Sequence, residues 1–197
     1  NNFIHKLSKF SKKASVIVSD VGQHQMWAAQ SLELHKNQRF VTSGGMGSMG
    51  FGLPSSIAAA FIQSPSPIVL IAGDGGFQSN IQELQTVVHH NLPIKIVILN
   101  NRCHGMVRQF QEQLFDKRYQ STLWGYSAPN FEKIALSYGI RAKTVKTESE
   151  IKKALEWLWK RPKEPQLLQV MIDTFTNAYP KMAFGKPSYE MEPISES

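Results

Sequence analysis

The stretch that decides the fold is Ile68-Val-Leu-Ile-Ala-Gly-Asp-Gly-Gly76. A second stretch, Ile94-Lys-Ile-Val-Ile-Leu-Asn-Asn101, has the same pattern. Each is a short aliphatic run that ends in polar or glycine residues. Near-continuous aliphatic runs are typical of strands that are buried on both faces of a parallel sheet. In such sheets ligands bind beyond the carboxyl ends of the strands, so we expect the chemistry in the residues that follow each run.

The same alternation continues along the chain. Aliphatic runs predict further strands at residues 15–19 and 166–172, with a weaker one at 142–146. Between the runs, apolar residues recur at helical spacing, which predicts helices at residues 24–34, 53–63, 81–90, 131–138 and 148–159. Alternating strands and helices predict an α/β fold, a doubly wound and mostly parallel sheet with helices on both faces.

We assign residues 1–178 to this domain. Residues 179–197 contain three prolines and no periodicity, so we expect a C-terminal arm that is extended or disordered. The chain begins with Asn1 instead of Met, and we therefore expect it to be a piece of a longer protein.

Composition limits the class of protein. The chain has 197 residues, of which 42% are hydrophobic, enough for one domain with a sizeable core. No apolar run approaches the roughly 18–20 residues of a membrane span, and residues 1–13 lack the apolar segment of a signal peptide. The single cysteine, Cys103, excludes an internal disulfide and fits a reducing cytoplasm.

The net charge of +7 comes from 22 Lys and Arg against 15 Asp and Glu. Lysines cluster mildly at residues 6–13 and 152–163, but no stripe of aromatic and arginine side chains accompanies them, as a nucleic-acid surface would require. We interpret the charge as a solvated surface and expect no nucleic-acid partner and no membrane association. A basic site for an anionic ligand stays open.

Gly73-Asp74-Gly75-Gly76 follows a predicted strand and precedes a predicted helix that starts near Ser79. Glycines let a backbone approach a ligand closely, and free amides at the start of a helix attract an anion. The motif lacks the Lys-Ser/Thr of a Walker loop and the spacing of a dinucleotide fingerprint. By itself it fits a phosphate-binding loop or a tight turn in which Asp74 caps the helix.

Asn100-Asn101 follows the neighbouring strand, so we expect Asp74 and Asn101 to lie within a few ångströms at the same edge of the sheet. A carboxylate and an amide oxygen are suitable ligands for Mg²⁺, which commonly completes its octahedron with phosphate and water. An isolated Asn-Asn favours a simple turn. The two motifs together favour a metal bridged to a diphosphate.

These residues resemble a known family. Gly73-Asp74-Gly75, with Asn100-Asn101 after a gap of twenty-odd residues, resembles the cofactor motif of thiamine-diphosphate enzymes. Other segments, within about residues 13–175, resemble the large subunit of acetolactate synthase: Val21-Gly-Gln-His-Gln-Met-Trp27, Thr42-Ser-Gly-Gly-Met-Gly-Ser-Met-Gly-Phe-Gly-Leu-Pro54, Asn80-Ile-Gln-Glu-Leu84 and Gly105-Met-Val-Arg-Gln109.

The resemblance implies a site for thiamine diphosphate and Mg²⁺. The metal ligands would be the side chains of Asp74 and Asn101 and the backbone carbonyl of Cys103. The residues expected to hold the diphosphate are Gln23, His24 and the amides of Gly75 and Gly76. For the aminopyrimidine, the Gly47 carbonyl would accept from the 4′-amino group. Met49 would bond the ring through its backbone and wedge its thioether beneath the bent cofactor.

Other interpretations stay open for several residues. His24 would also serve as a helix cap, and Met49 as a core residue. Met106 and Phe110 lie one helical turn apart; the resemblance places them in the substrate pocket, and composition places them in the core. We expect His104, His89 and His90 at the surface. We expect Cys103 to matter for its backbone, since its thiol has no evident basic neighbour.

Two departures from the family matter. Acetolactate synthases typically carry tryptophan where this chain has Phe110, in a region tied to the choice of the second substrate. The chain also has no segment that we can match to the pyrimidine-binding domain, which supplies the activating glutamate, or to the middle domain, which binds FAD. We place no catalytic residue in the fragment and expect it to be inactive alone, with FAD left open for the full-length protein.

The leading hypothesis is therefore a carboligase that decarboxylates pyruvate and joins the two-carbon unit to a second 2-oxoacid, on the route to branched-chain amino acids. In the family the cofactor lies between two subunits, which implies a homo-oligomer, at least a dimer. One alternative is a related decarboxylase or ligase, for example in surface-polysaccharide synthesis, which Phe110 and the tail Phe184-Gly-Lys-Pro187 keep open. Another is a noncatalytic cofactor-binding module, against which the intact pair of Asp74 and Asn101 argues.

Overall fold

The structure is a computed structural model that describes residues 1–183, 185–187 and 189–193. Six parallel strands form its main sheet, in the order β2-β1-β3-β4-β6-β5. The strands are β1 (Val16–Ser19), β2 (Arg39–Thr42), β3 (Ile68–Gly73), β4 (Ile94–Asn100), β5 (Arg141–Val145) and β6 (Gln166–Met171). The predicted α/β fold is confirmed.

The predicted strands all form, with ends that move by one residue. The prediction missed β2, because this edge strand is partly exposed and only two of its four residues, Phe40 and Val41, are apolar. An edge strand buries little surface and so carries little of the aliphatic signal that marks the central strands.

Eight α-helices surround the sheet in the described residues: α1 (Asn2–Phe10), α2 (Gln23–Ser31), α3 (Gly52–Gln63), α4 (Asp74–Gln78), α5 (Leu84–His89), α6 (Gly105–Leu114), α7 (Phe131–Ser137) and α8 (Ile151–Trp159). α1 was not predicted. The predicted helices at 81–90 and 148–159 each begin with a short 3-10 turn, Ile81–Glu83 and Glu148–Glu150. None of the described helices has the length and apolar character of a membrane span.

Successive residues of the central strands point to opposite faces, and each face is covered by its own helices. On one face Val18, Leu70 and Ile96 pack with side chains of α3, α5 and α7. On the other, Ile17 and Val97 pack with α1, α2 and α8. This two-sided burial explains why the strands read as continuous aliphatic runs, and it holds the carboxyl ends of β1, β3 and β4 rigidly side by side.

The described part of residues 179–193 contains a small antiparallel pair, β7 (Lys181–Met182) with β8 (Met191–Glu192). An ion pair of 2.7 Å joins Lys181 to Glu192, and Gln113 of α6 donates a hydrogen bond of 2.9 Å to the Tyr179 hydroxyl. The described part of the arm is thus attached to α6. Phe184, on which part of the alternative hypothesis rests, lies outside the described residues, and the boundary at residue 178 stays a prediction.

Candidate cofactor site

A cavity lies at the carboxyl ends of β1, β3 and β4. The chain leaves β1 toward β2 on one side and returns to β3 on the other, so the cavity occupies the switch point where open α/β sheets bind ligands. It is lined by the loops after these strands and by Met49. From the predicted set it brings together Gln23, His24, Met49, Asp74, Gly75, Gly76, Asn101, Cys103 and Met106.

Two predicted site residues lie outside this lining. Phe110 lines a neighbouring groove with Gln111, Phe115 and Arg118, and Val107 lines both the groove and the cavity. Gly47 lies in the exposed glycine-rich turn, at a φ of +62°, where a Cβ would come 3.9 Å from the Val21 side chain. Val21 lines the cavity, so Gly47 borders a residue of the lining without lining the cavity itself.

Asp74 is the buried carboxylate of the cavity, with 2% of its surface exposed. Burial raises the pKa of Asp74 to about 6, against hydrogen bonds from Tyr126 and from the backbone amides of Asp74, Asn101 and Gly75. The Tyr126 hydroxyl donates to Oδ2 at 2.8 Å. Asp74 is the first residue of α4 and Gly73 is its N-cap, so the capping role is not what the structure shows. A carboxylate that burial disfavours is stabilised by a nearby cation.

Asn101 and Asn100 have separate roles at the end of β4. The Asn101 amide donates to Gln23 Oε1 at 3.1 Å, and its Oδ1 accepts from the Cys103 amide at 3.2 Å. Asn100 instead donates to Gln169 at 3.2 Å and lines a different groove. Only Asn101 lines the cavity, and the contact of its backbone amide with the Asp74 carboxylate agrees with the predicted proximity of the two.

Gln23 is fully engaged within the protein. Its Nε2 donates to Gln109 Oε1 and to the Thr176 carbonyl, each at 3.1 Å, while Oε1 accepts from Asn101. Both protons of the amide therefore have acceptors, and the side chain fixes the orientation of Asn101. This kind of outer contact commonly tunes a metal ligand.

His24 is 4% exposed, and its buried Nε2 has no hydrogen-bond partner among the described residues. Burial lowers the pKa of His24 to about 4, with a hydrogen bond to the Asp20 backbone acting in the opposite direction. The ring is therefore neutral at pH 7. No side-chain cap is present at the start of α2, and a buried polar atom without a partner is typical of a ligand site.

The glycines of the Gly73–Gly76 turn are required by close packing. A Cβ on Gly75 would lie 2.8 Å from the His104 ring, and one on Gly76 would lie 2.8 Å from Asp20 Oδ2. Any larger residue would displace these neighbours, so the turn keeps its amides at the cavity only with glycine.

Three residues of the site were missed from the sequence. His104 is half-buried and lines the cavity, so its predicted surface position is wrong, whereas His89 and His90 are exposed as expected. Tyr126 reaches Asp74 from a loop 52 residues further on, and no local pattern marks it. Asp20 directly follows an aliphatic run, a signal that could have been used.

Asp20 anchors the turn that carries Met49. Its carboxylate accepts the Gly50 amide at 3.0 Å, while Asn80 donates to the Gly50 carbonyl at 2.7 Å. Held from both sides at the next residue, Met49 places its methyl group 3.3 Å from the Cβ position of Gly75. Met49 is 47% exposed, which argues against a core role for it.

The Cys103 thiol is buried, and burial raises its pKa to about 11. The expectation that it has no basic neighbour is wrong, because the buried Arg108 guanidinium acts on it in the opposite direction. Arg108 is near Cys103 in the chain, in the second turn of α6, and the fold of that helix directs its guanidinium back toward the thiol. The inert thiol agrees with a residue used through its backbone.

The residues of the cavity suit a magnesium-bound diphosphate. A buried carboxylate lies beside an amide oxygen, a glycine turn lines the same wall, and the His24 ring faces them, with an Nε2 that has no partner within the described ranges. A doubly wound sheet with this set at its switch point defines a domain that binds a phosphate-bearing cofactor.

Residues 20–170 match the family described as thiamine pyrophosphate enzyme, C-terminal TPP binding domain. The chain belongs to this family. It is 42% identical to the acetolactate synthase large subunit of Porphyra purpurea over 178 residues, which cover 90% of this chain and 30% of that protein.

Two further relatives agree. The acetolactate synthase isozyme 2 large subunit of Escherichia coli K12 is 39% identical over 95% of this chain and 34% of its own length. The acetolactate synthase large subunit of Lactococcus lactis is 37% identical over 95% of this chain and 32% of its own. The chain thus spans about a third of the length of the curated relatives it matches.

Proposed function

We propose that this chain is the cofactor-binding domain of a carboligase of the acetolactate synthase type, which decarboxylates pyruvate and joins the two-carbon unit to a second 2-oxoacid. The observation that carries the proposal is the single cavity in which Asp74, Asn101, the Gly75–Gly76 turn and Met49 meet. The names of the relatives agree with it.

In this proposal Asp74, Asn101 and the backbone carbonyl of Cys103 hold Mg²⁺. Asp74 is buried, and the Tyr126 hydroxyl and the Gln23 amide would keep the two side-chain ligands oriented toward the ion. The Gly75 and Gly76 amides and the His24 ring bind the diphosphate. Gln23 contributes by holding Asn101, since its own amide is already engaged.

The Gly47 carbonyl and Met49 contact the aminopyrimidine end. When bound, thiamine diphosphate supplies the electron sink for decarboxylation. The protein's part is to bind, bend and shield it, and the Asp20–Gly50–Asn80 contacts keep Met49 in place for this. In this proposal the substrate contacts Met106, which lines the cavity, and Phe110, which lies in the groove that shares Val107 with the cavity.

The remainder of the enzyme lies outside this chain in our proposal. A pyrimidine-binding domain of a second subunit supplies the activating glutamate, so the enzyme is at least a homodimer and the fragment alone does not turn over. FAD belongs, where present, to a middle domain. We place the enzyme in the cytoplasm, with small 2-oxoacids as substrates.

The test is to supply the full-length protein with thiamine diphosphate, Mg²⁺ and pyruvate, and to identify the product by mass spectrometry. We expect acetolactate, with Phe110 as a residue that tunes the choice of acceptor. Cofactor binding without acetolactate would refute the assignment of substrate and favour a related ligase, such as one in surface-polysaccharide synthesis. An intact fold that binds no cofactor would refute the cofactor site itself.

A further inference from the structure

The His104 side chain lines the cavity, and it has no hydrogen-bond partner among the described residues. Its main chain is fixed, because its amide donates to the Thr122 carbonyl at 3.0 Å and its carbonyl accepts from Arg108 at 2.8 Å. Its ring packs edge-on against Tyr126, with the centroids 4.5 Å apart. Among the described residues neither ring nitrogen makes a hydrogen bond, so the ring is held by packing alone and keeps its polar atoms free.

The polar edge of this ring lies over the glycine turn. Its Nδ1 and Cε1 are the atoms nearest the Cβ position of Gly75, both at 2.8 Å, and the Met49 methyl follows at 3.3 Å. Gly75 is the residue whose amide we assign to the diphosphate. A ligand oxygen that reaches this amide therefore comes within reach of the Nδ1 edge of His104.

A second imidazole flanks the same turn. His24 Nδ1 lies 3.0 Å from the Cβ position of Gly73, and its buried Nε2 is also without a partner. The turn thus has one histidine against Gly73 and another against Gly75, and both line the one cavity. The His104 ring, with both nitrogens free among the described residues, can present an N–H at the glycine turn, which indicates a ligand with acceptor oxygens there.

We propose that His104 binds the diphosphate, donating a hydrogen bond from the Nδ1 edge of its ring to a phosphate oxygen above Gly75. The inference rests on the proposed function, which it extends by one binding residue. Hydrogen bonds to a charged acceptor are stronger than neutral ones, and the fixed main chain means that little ordering is needed. Tyr126 then holds both His104, by ring packing, and Asp74, by its hydroxyl.

Calorimetry of the full-length protein with Mg²⁺ tests this inference, with thiamine diphosphate and inorganic pyrophosphate as separate probes. His104→Leu keeps the bulk of the side chain and removes its donor, and we expect about a 10-fold weaker affinity for both probes. His104→Asn, which restores an N–H near the position of Nδ1, should recover most of the loss. His89→Leu, at an exposed histidine, is the matched control and should bind as the wild type does.

Unchanged pyrophosphate affinity in His104→Leu would overturn the inference. So would a raised KM for pyruvate with normal pyrophosphate affinity, because the ring would then contact the substrate. Wild-type protein that fails to bind thiamine diphosphate would instead refute the proposed function, so the two failures are distinguishable.

A measurement without variants covers the case in which His104→Leu does not fold. Diethyl pyrocarbonate modifies accessible imidazoles, and mass spectrometry of the wild-type protein locates the modified residues. Magnesium pyrophosphate should protect His104 at least several-fold, while pyruvate should not. Equal modification of His104 with and without magnesium pyrophosphate would overturn the inference.

Discussion

Lys95 and Asp74 are buried charged residues at opposite ends of the strands of one sheet, and they differ in how many hydrogen-bond partners the protein gives their surroundings. Lys95 lies near the amino end of β4 and is completely buried. Its ammonium group donates to the Arg161 carbonyl, the Glu164 carbonyl and Gln166 Oε1, at 2.5, 2.7 and 2.9 Å. Asp74 follows the carboxyl end of β3, is equally inaccessible, and lines a cavity.

The difference is in the matching of donors to acceptors. An ammonium group has three protons, and all three protons of Lys95 have acceptors from the chain itself. We call this end of the strands the closed edge of the sheet, and the end that carries Asp74 the open edge. In the cavity of Asp74, by contrast, His24 Nε2 has no hydrogen-bond partner among the described residues. Burial alone therefore does not mark a functional residue. An incomplete set of partners inside a cavity does, because a buried polar group there costs stability unless a ligand completes it. Ser15 Oγ and Trp159 Nε1 also lack partners among the described residues, but they lie outside the cavity.

The largest expected effect is at the open edge. Asp74→Ala removes the charge that would balance Mg²⁺, and we expect Mg²⁺-dependent affinity for thiamine diphosphate to fall about 100-fold or more, measured by calorimetry of the full-length protein. Asp116→Ala, at an exposed aspartate, is the control. Retained affinity in Asp74→Ala would refute the assignment of Asp74 as a metal ligand. It would also refute the idea that the Asp74 end of the sheet binds a ligand while the Lys95 end does not.

At the closed edge we expect a loss of stability without a loss of binding. Lys95→Met leaves three buried acceptors without a donor, which should lower the free energy of unfolding by about 2 kcal/mol and leave cofactor affinity unchanged. Denaturation followed by tryptophan fluorescence measures the first, with exposed Lys153→Met as control. Weaker cofactor binding in Lys95→Met would show that the two edges are not independent.

The same residue gives a pH dependence. Burial lowers the pKa of Lys95 to about 8, while its value in the unfolded chain is near 10.5. Below pH 8 both states hold the proton; between pH 8 and 10.5 the unfolded state binds more protons, so this residue makes stability rise with pH. The stability difference between wild type and Lys95→Met should therefore grow across this window, and a constant difference would contradict the shift.

A smaller effect is expected where the chain holds Met49. Asp20→Asn replaces an acceptor of backbone amides with a group that is partly a donor, and it should release the turn at Gly50. We expect about a 10-fold weaker affinity for thiamine diphosphate, with pyrophosphate binding little changed because Met49 contacts the other end of the cofactor. Asn80→Ala, which removes the opposite contact, should act in the same direction. An equal loss for pyrophosphate would mean that Asp20 acts on the glycine turn instead.

The mildest change is Tyr126→Phe. Loss of the hydroxyl leaves the Asp74 carboxylate in place but less well oriented, so we expect the Mg²⁺ concentration for half-maximal cofactor binding to rise about 10-fold. Tyr138→Phe is the control, since that hydroxyl makes no hydrogen bond to any part of the chain that the structure describes. An unchanged Mg²⁺ requirement would show that the backbone amides alone orient Asp74.

Much of the fold follows from local patterns. The four aliphatic runs are strands because their residues are buried on both faces, and helical spacing located most of the covering helices. The edge strand β2 was not predicted because it is half-exposed. The helix α1 was not predicted because the apolar positions in its lysine-containing segment were not recognised. The cavity loops were located because polar and glycine residues directly follow the central strands.

The sequence by itself determined the parallel α/β sheet and the pairing of Asp74 with Asn101, since both depend on residues close together in the chain or at the ends of adjacent strands. The tertiary structure decided the rest of the site. Tyr126 hydrogen-bonds to Asp74, 52 residues away in the chain. His104 lines the cavity instead of the surface position expected for it, and Phe110 lies in the adjoining groove. Periodicity reports which face of an element is buried, whereas partners brought together by long-range packing leave no periodic trace. For that reason the unmatched nitrogens of His24 and His104 became visible only once every neighbour was in place.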